Sequence, residues 1–237
     1  GFTEATGGLL RESDLERRRR AFTASPAAQE RFLAPLGVSP PAADTLSVSL
    51  FCYENAALAG LLDAWRRGSR PVRCLVPPGR CLADLERFAR RRLEIGDAVR
   101  VGRLELCVIP FVPQPEYDEL LWSCDLNCVR GEDSFVRAQW AARPMLWHIY
   151  PQQENAHRAK LTAFLDAWCA GLPGPVAAAT REFFLAWNGF GQITDDLWER
   201  WLAVFPALRL HTGEWREKLT RQQDLCSRLM QFCRSRL

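Results

Sequence analysis

The stretch LSVSLFCYENAALAGLLDAWRRG, residues 46–68, decides the fold class of this protein. Its first part, LSVSLFCY, predicts a strand, and the remainder predicts an amphipathic helix that ends at Gly68. The same pair follows at once, with a strand in PVRCLVPPG (71–79) and a helix in RCLADLERFARRR (80–92). Strands and helices that alternate in this way indicate βαβ crossovers and a parallel sheet.

The alternation continues to about residue 150, and beyond it the pattern is helical. The predicted elements are two strand-like pieces in 99–111, a short helix in 114–123 that runs into a strand near 123–126, a helix in 134–142 and a strand in 144–150. Four tryptophan-rich helices follow in 155–171, 174–189, 194–208 and 214–237. The prediction is an α/β fold, with a Rossmann-like sheet and extra C-terminal helices.

The segment before the sheet predicts two short helices, in 12–22 and 25–37, and then a proline-rich hinge in 38–45. The first helix carries the run Arg17–Arg20. We interpret this run as a solvated helix face, with a nucleic-acid patch as the less favoured alternative. The chain opens with GFTEATGGLLRE and no methionine, so we expect a fragment whose upstream part is missing.

Composition excludes several classes of protein. The chain has 237 residues, 48% of them hydrophobic and 25% charged, and a net charge of +3, which is too weak to argue for nucleic acid. No stretch approaches the roughly 20 apolar residues that a membrane span needs. Nine cysteines without paired spacing indicate reduced, buried thiols in a cytoplasmic protein. Cys124 and Cys128 lack two further ligands for zinc, so we expect no metal.

The turn in DLNCVRGEDSFVRAQW, residues 125–140, is the first candidate site. A strand leads to Gly131, and a helix opens at Asp133 or Ser134. Free N–H groups and about half a positive charge at a helix N-terminus attract phosphate or carboxylate, and Arg130 would add a planar cation. The motif alone favours a plainer alternative, in which Asp133 or Ser134 caps the helix and Arg130 pairs with Glu132. No GxGxxG or GxxxxGK[ST] motif is present.

Aromatic and amide side chains stand at three other strand ends. They are Phe51 and Tyr53 after the first strand, Phe111, Gln114 and Tyr117 in IPFVPQPEY, and Tyr150 after the last strand. Because loops at the carboxyl ends of parallel strands converge on one rim, these side chains and the Gly131 turn predict a nucleotide pocket. The alternative is that each aromatic residue belongs to the core. We expect core or surface packing for His148, His157 and His211, and core packing for Trp168, Trp187, Trp198, Trp201 and Trp215.

Three segments carry a family resemblance: SLFCYEN, PFVPQPEYDELLWSCD, and the long block CDLNCVRGEDSFVRAQWAARPMLWHIYPQQENAHRAKLTAFLDAW. Together they resemble the EarP family of protein-arginine rhamnosyltransferases over essentially the whole chain. The resemblance implies one half of a GT-B glycosyltransferase with two Rossmann-like domains. It implies dTDP-β-L-rhamnose as donor, inversion at the anomeric carbon, and bacterial elongation factor P, which relieves ribosome stalling at polyproline, as acceptor.

The resemblance also implies roles for particular residues. Donor-binding roles fall on Phe51, Tyr53, Phe111, Gln114, Tyr117, Arg130, Asp133, Ser134 and Tyr150, and catalytic roles fall on Arg130 and Glu132. We expect Phe111, with Phe51, to pack on thymine and Gln114 to read its edge. Tyr53, Arg130, Tyr150 and the N–H groups of Asp133 and Ser134 would hold the diphosphate. Glu132 would face sugar hydroxyls, or orient Arg130 and the acceptor. Tyr117 stands where the family often has phenylalanine.

The expected organisation has three parts. Residues 1–40 would be the end of an N-terminal domain and a linker, 41–205 the dTDP-rhamnose-binding domain, and 206–237 helices that pack back on the N-terminal domain. The general base would lie outside this chain, which we expect to be inactive alone. No cofactor, metal, nucleic acid or membrane partner is expected. The alternative function is a non-catalytic nucleotide-binding or protein-docking module, against which the intact Arg130, Glu132 and Asp133 cluster argues.

Overall fold

The computed structural model describes residues 1–3 and 6–236. The strands within this part form one six-stranded sheet: β1 Leu46–Leu50, β2 Val72–Val76, β3 Ala98–Val101, β4 Leu104–Val108, β5 Leu126–Arg130 and β6 Met145–His148. The helices are α1 Leu15–Thr23, α2 Pro26–Leu33, α3 Leu58–Arg67, α4 Leu82–Ala89, α5 Gln114–Ser123, α6 Asp133–Ala141, α7 Ala156–Trp168, α8 Gly174–Trp187, α9 Asp195–Thr220 and α10 Leu225–Arg234. Short 3₁₀ turns occupy Ala34–Leu36 and Gln153–Asn155.

The strand order is β3-β4-β2-β1-β5-β6, and every neighbouring pair except β3–β4 is parallel. The chain builds outward from β1 through β2 to β4, and then returns to place β5 on the other side of β1. The direction of winding therefore reverses between β1 and β5. Open α/β sheets bind ligands beyond the carboxyl ends of the strands at such a reversal. The α/β prediction with C-terminal helices is confirmed.

The predicted parallel sheet carries one antiparallel strand at its edge. Strand β3 runs antiparallel to β4, with Val101 paired to Leu104 across the turn at Gly102, whose φ is +61°. Only residues 102 and 103 separate the two strands. A parallel pair needs a crossover of about a dozen residues or more, whereas two residues suffice for a hairpin. The sheet is therefore mixed.

The C-terminal helices differ from the predicted pattern. The sequence predicts one helix ending near residue 208 and another beginning at 214, but α9 runs unbroken through Pro206. A proline inside a helix costs about 3 kcal/mol. The buried face of α9 offsets this cost, because each large apolar side chain removed from water contributes roughly 2 kcal/mol. The apolar residues of this buried face are Leu197, Trp198, Trp201, Phe205, Leu208, Trp215 and Leu219. The expected domain boundary at 205/206 lies inside this helix, and the division into domains stays a prediction.

The aromatic core lies between the sheet and the C-terminal helices. Trp168, Trp187, Trp198, Trp201 and Trp215 are all buried, so the prediction that these tryptophans are core is confirmed. Phe183 stacks on Trp201 with 4.8 Å between ring centroids. The prediction that the histidines pack is confirmed as well: His148 and His157 are buried, and the Nε2 atom of His211 lies 2.6 Å from the carbonyl oxygen of Trp168.

The first residues of the chain pack on its last helices. The Phe2 ring lies 5.6 Å from the Trp215 ring, and the Leu225 amide donates to the Leu9 carbonyl over 3.1 Å.

In the Arg17–Arg20 run the side chains of Arg17 and Arg20 are exposed, as expected for a solvated face. Arg19 differs, because it is mostly buried against Glu16.

Seven of the nine cysteines are buried, as predicted, but Cys226 and Cys233 are exposed on α10. All nine are free thiols. Within residues 1–3 and 6–236, no group of three or more His, Cys, Asp or Glu side chains is arranged to hold a metal ion. None of the described helices is both long and apolar enough to cross a membrane.

Candidate functional site

A cavity of about 540 Å³ opens at the carboxyl ends of β1, β2, β4 and β5, where the winding of the sheet reverses. Nine of the predicted site residues line it: Phe51, Tyr53, Phe111, Gln114, Tyr117, Arg130, Glu132, Asp133 and Ser134. Tyr150 does not line the cavity, but its ring lies 5.5 Å from that of Tyr53 in an edge-on contact. The tertiary structure thus brings the four predicted loops to one place.

One end of the cavity is apolar. The loop after β4 contributes Ile109, Pro110, Phe111 and Val112, and Pro77 approaches from the loop after β2. Phe111 is 62% exposed, so it is not a core residue and its ring is free to pack on a flat ligand. The sequence reasoning missed Pro77, although its place directly after a strand was the available signal.

The other end of the cavity is the turn at Gly131. Gly131 has φ +61°, and its carbonyl accepts a hydrogen bond of 2.8 Å from the Trp147 indole nitrogen. A Cβ atom at this position would lie 2.9 Å from the Tyr53 hydroxyl oxygen. Glycine is therefore needed both for the backbone conformation and for the close approach of Tyr53.

Helix α6 begins here, and no side chain in the described part of the chain caps its first amide groups. Glu132 is the residue at the N-cap position, and its side chain makes no capping hydrogen bond. Ser134 is turned backward, where its hydroxyl accepts from the Arg130 amide over 3.1 Å and donates to the Arg130 carbonyl. The capping alternative is thus wrong, and the first-turn amides remain available to an anion.

Glu132 does not pair with Arg130 either. Its carboxylate lies 2.9 Å from the Lys160 ammonium, and both side chains are exposed. The Arg130 guanidinium instead lies over two rings, 4.3 Å from the Phe51 centroid and 4.6 Å from the Tyr53 centroid. Among the described residues it forms no salt bridge. Cation–π contacts hold the cation while leaving its N–H donors open to a phosphate.

Arg137, one turn beyond Ser134, also lines the cavity and was not predicted. Its guanidinium makes a two-point ion pair with the buried Asp118 of α5, with 2.7 Å between Nε and Oδ1. It also lies 2.7 Å from Glu12, a residue 125 positions away in the chain. Arg137 therefore joins α6 to the helix that carries Gln114 and Tyr117.

Replacing Gly131 with alanine should weaken nucleotide binding more than it weakens the fold. Strain at positive φ costs roughly 1–2 kcal/mol, and the new methyl group must also push the Tyr53 hydroxyl aside. The matched control is Gly37→Ala, because Gly37 has φ +73° and open space around it. Both variants should lose stability in urea denaturation, Gly131→Ala the more of the two because of the Tyr53 contact, but only Gly131→Ala should lose affinity for the dTDP that the family resemblance implies. Equal affinities would show that the turn does not contact the ligand.

His148, at the end of β6, packs against Tyr53, a residue that lines the cavity. Its ring lies 5.5 Å from Tyr53 and 5.7 Å from Trp187, and its Nδ1 atom is buried without a partner among the described residues. Burial lowers the pKa of His148 to about 4, with smaller contributions from His157 and Arg130. The imidazole is therefore neutral at physiological pH.

This buried imidazole predicts a loss of stability in mild acid. Since the pKa is near 6.5 in the unfolded chain and about 4 in the folded one, the unfolded state takes up the proton first as the pH falls. Between pH 7 and pH 5 the free energy of unfolding should fall by roughly 2 kcal/mol from this group. Urea denaturation at both pH values would measure it. In His148→Phe the difference between the free energies of unfolding at pH 7 and pH 5 should be smaller. The same difference as in wild type would contradict the prediction.

This chain is similar in sequence to known proteins over nearly its whole length. A family model described as Elongation-Factor P (EF-P) rhamnosyltransferase EarP matches residues 1–234. A protein-arginine rhamnosyltransferase of Pseudomonas aeruginosa is 50% identical over 233 residues, covering 98% of this chain and 61% of that protein. The one from Shewanella oneidensis is 36% identical over 239 residues, covering 98% of this chain and 60% of that protein.

A solved structure is also similar to this chain. It is described as the structural basis for EarP-mediated arginine glycosylation of translation elongation factor EF-P. It superposes with a TM-score of 0.91 at 42% sequence identity, covering all of this chain and 75% of that one. This chain spans about three fifths of the length of the curated relatives that it matches.

Proposed function

This chain belongs to the EarP family of EF-P rhamnosyltransferases, and from that membership we propose that it is the donor-binding part of a protein-arginine rhamnosyltransferase. The enzyme would transfer rhamnose from dTDP-β-L-rhamnose to an arginine side chain of elongation factor P, in the cytoplasm. One observation carries the proposal. At the reversal point of the sheet, an uncapped helix N-terminus and an arginine without a carboxylate partner among the described residues face an aromatic cavity.

The apolar end of the cavity suits the thymine base. Phe111 offers an exposed ring for packing, and Gln114, at the first residue of α5, offers an amide with both a donor and an acceptor for the pyrimidine edge. In this placement the base would lie away from Gly131. The diphosphate would then reach the turn.

The polar end suits the diphosphate and its leaving group. Cleavage of the sugar–phosphate bond leaves a dTDP anion whose charge develops in the transition state. The Arg130 guanidinium and the first amides of α6 are hydrogen-bond donors that belong to the lining of one cavity. Donors held in position before the reaction stabilise developing charge without reorganisation. We therefore propose that Arg130 and this helix terminus stabilise the departing dTDP. In this proposal no metal ion takes part.

Glu132 lies between this anion site and solvent. Its exposed carboxylate, paired with Lys160, is placed to accept hydrogen bonds from sugar hydroxyls or from the incoming guanidinium. In an inverting transfer the arginine nitrogen attacks C1 from the face opposite to dTDP, and a proton must leave that nitrogen. We assign removal of this proton to the part of the enzyme that the relatives carry beyond this chain's span.

Two measurements test the proposal. Isothermal titration calorimetry of this chain should show binding of dTDP and much weaker binding of thymidine, because the diphosphate carries most of the contacts. Mass spectrometry of elongation factor P incubated with dTDP-rhamnose and the complete gene product should show one added deoxyhexose on an arginine. Binding of dTDP without transfer by the complete protein would favour the non-catalytic module. No binding of dTDP would refute the proposal.

A further inference from the structure

Tyr117 carries a polar group that the fold leaves unused. Its ring lines the cavity and lies 6.5 Å from the Phe51 ring. Its hydroxyl is buried and has no hydrogen-bond partner among residues 1–3 and 6–236. Folded proteins leave few buried polar atoms unsatisfied, since each costs the free energy of its lost hydration. The hydroxyl of Tyr117 is therefore available to a partner that binds in the cavity it lines.

The surroundings of this hydroxyl show where such a partner would lie. Burial raises the pKa of Tyr117, while the nearby Ser134 side chain and the positive charge of Arg130 oppose the shift. The hydroxyl thus lies near Ser134 and Arg130, which line the same cavity. No hydrogen bond joins the two hydroxyls, and the Ser134 hydroxyl bonds the backbone of Arg130 instead.

We propose that the Tyr117 hydroxyl donates a hydrogen bond to a phosphate oxygen of the bound nucleotide, as a donor beside Arg130 and the amides of α6. This inference rests on the proposed function. A phenol that stays protonated is a donor, and a phosphate oxygen is the strong acceptor that fits it. The ring would contact the nucleoside and its hydroxyl the diphosphate, so one side chain would contact both parts of the donor.

The test removes one oxygen atom. Tyr117→Phe keeps the ring and loses the donor, and calorimetry should show a Kd for dTDP about tenfold higher, as expected for one hydrogen bond to a charged group. Thymidine has no phosphate, so its Kd should not change. The Tm of the unliganded variant should be equal or higher, because an unsatisfied buried hydroxyl has been removed. Tyr117→Leu, which also loses the ring, should weaken both ligands.

The binding and melting results for Tyr117→Phe distinguish the proposed hydrogen bond from the alternatives. Equal dTDP affinity in wild type and Tyr117→Phe would overturn the hydrogen bond and leave the proposed function standing. Equal losses for dTDP and thymidine would place the hydroxyl at the nucleoside, and a lower Tm would make its role structural; either result overturns the inference. Failure of the wild-type chain to bind dTDP would remove the proposed function and this inference together.

Discussion

Replacing Arg130 with alanine should raise the Kd for dTDP about 100-fold and lower turnover by the complete enzyme at least as much. The reason is that, in the proposed function, Arg130 supplies the cation that binds the diphosphate, and no carboxylate among the described residues neutralises it. Loss of one such donor typically costs a factor of about 100 to 1000 in rate. Calorimetry on this chain and single-turnover assays on the complete gene product would measure the two effects.

The fold should be little affected by this change. The guanidinium is held by rings, and partly exposed cation–π contacts contribute only about 0.5–1 kcal/mol each. The Tm of unliganded Arg130→Ala should therefore lie within a few degrees of wild type. Arg130→Lys is the matched control: it keeps the charge but loses the planar pair of donors, so its affinity should be intermediate. Wild-type affinity in Arg130→Ala would place the diphosphate elsewhere.

Replacing Asp118 with alanine should produce the largest loss of stability at the site. The carboxylate is buried with its side chain 3% exposed, and it makes a two-point ion pair with Arg137. Removing one partner leaves a largely buried guanidinium without its main counter-ion, which costs about 3 kcal/mol or more. Urea denaturation should show a lower midpoint with an unchanged slope. Because this ion pair joins α5 to α6 at the cavity, dTDP binding should weaken as well.

Glu12→Ala provides the comparison on the same arginine. The Glu12 carboxylate also pairs with Arg137, but its side chain is 55% exposed. An exposed ion pair contributes at most about 1 kcal/mol, so this variant should stay close to wild type. If Glu12→Ala were as unstable as Asp118→Ala, burial would not explain the difference and the ion-pair account would be wrong.

Much of the candidate site could be predicted from the chain alone, because strand ends are recognisable in sequence. Tyr53 follows β1, Gln114 follows β4 and Arg130 ends β5, and parallel strands bring their carboxyl ends to one edge. Pro77 and Arg137 were missed for different reasons. Pro77 stood at a strand end and was overlooked, whereas Arg137 lies within a helix, where nothing in the local pattern distinguishes it from a surface arginine.

The hydrogen bonding around the Gly131 turn could not be predicted from the sequence. Ser134 is a residue type that caps helices, and the local pattern favoured that role. In the folded protein Ser134 is buried at 8% exposure, and its hydroxyl bonds the Arg130 backbone instead. The turn itself is held by the Trp147 indole, which donates to the Gly131 carbonyl, and Glu132 at the N-cap position makes no capping hydrogen bond.

The sequence by itself determined the alternation of strands and helices, the glycine turn and the residues at the strand ends, because periodicity and turn chemistry act between near neighbours along the chain. Tertiary structure alone decided that α9 passes through Pro206, that Glu12 meets Arg137, and that the Tyr117 hydroxyl is left without a partner among the described residues. These outcomes depend on burial and on contacts between distant segments. Such contacts exist only when the whole core is packed, so no local pattern encodes them.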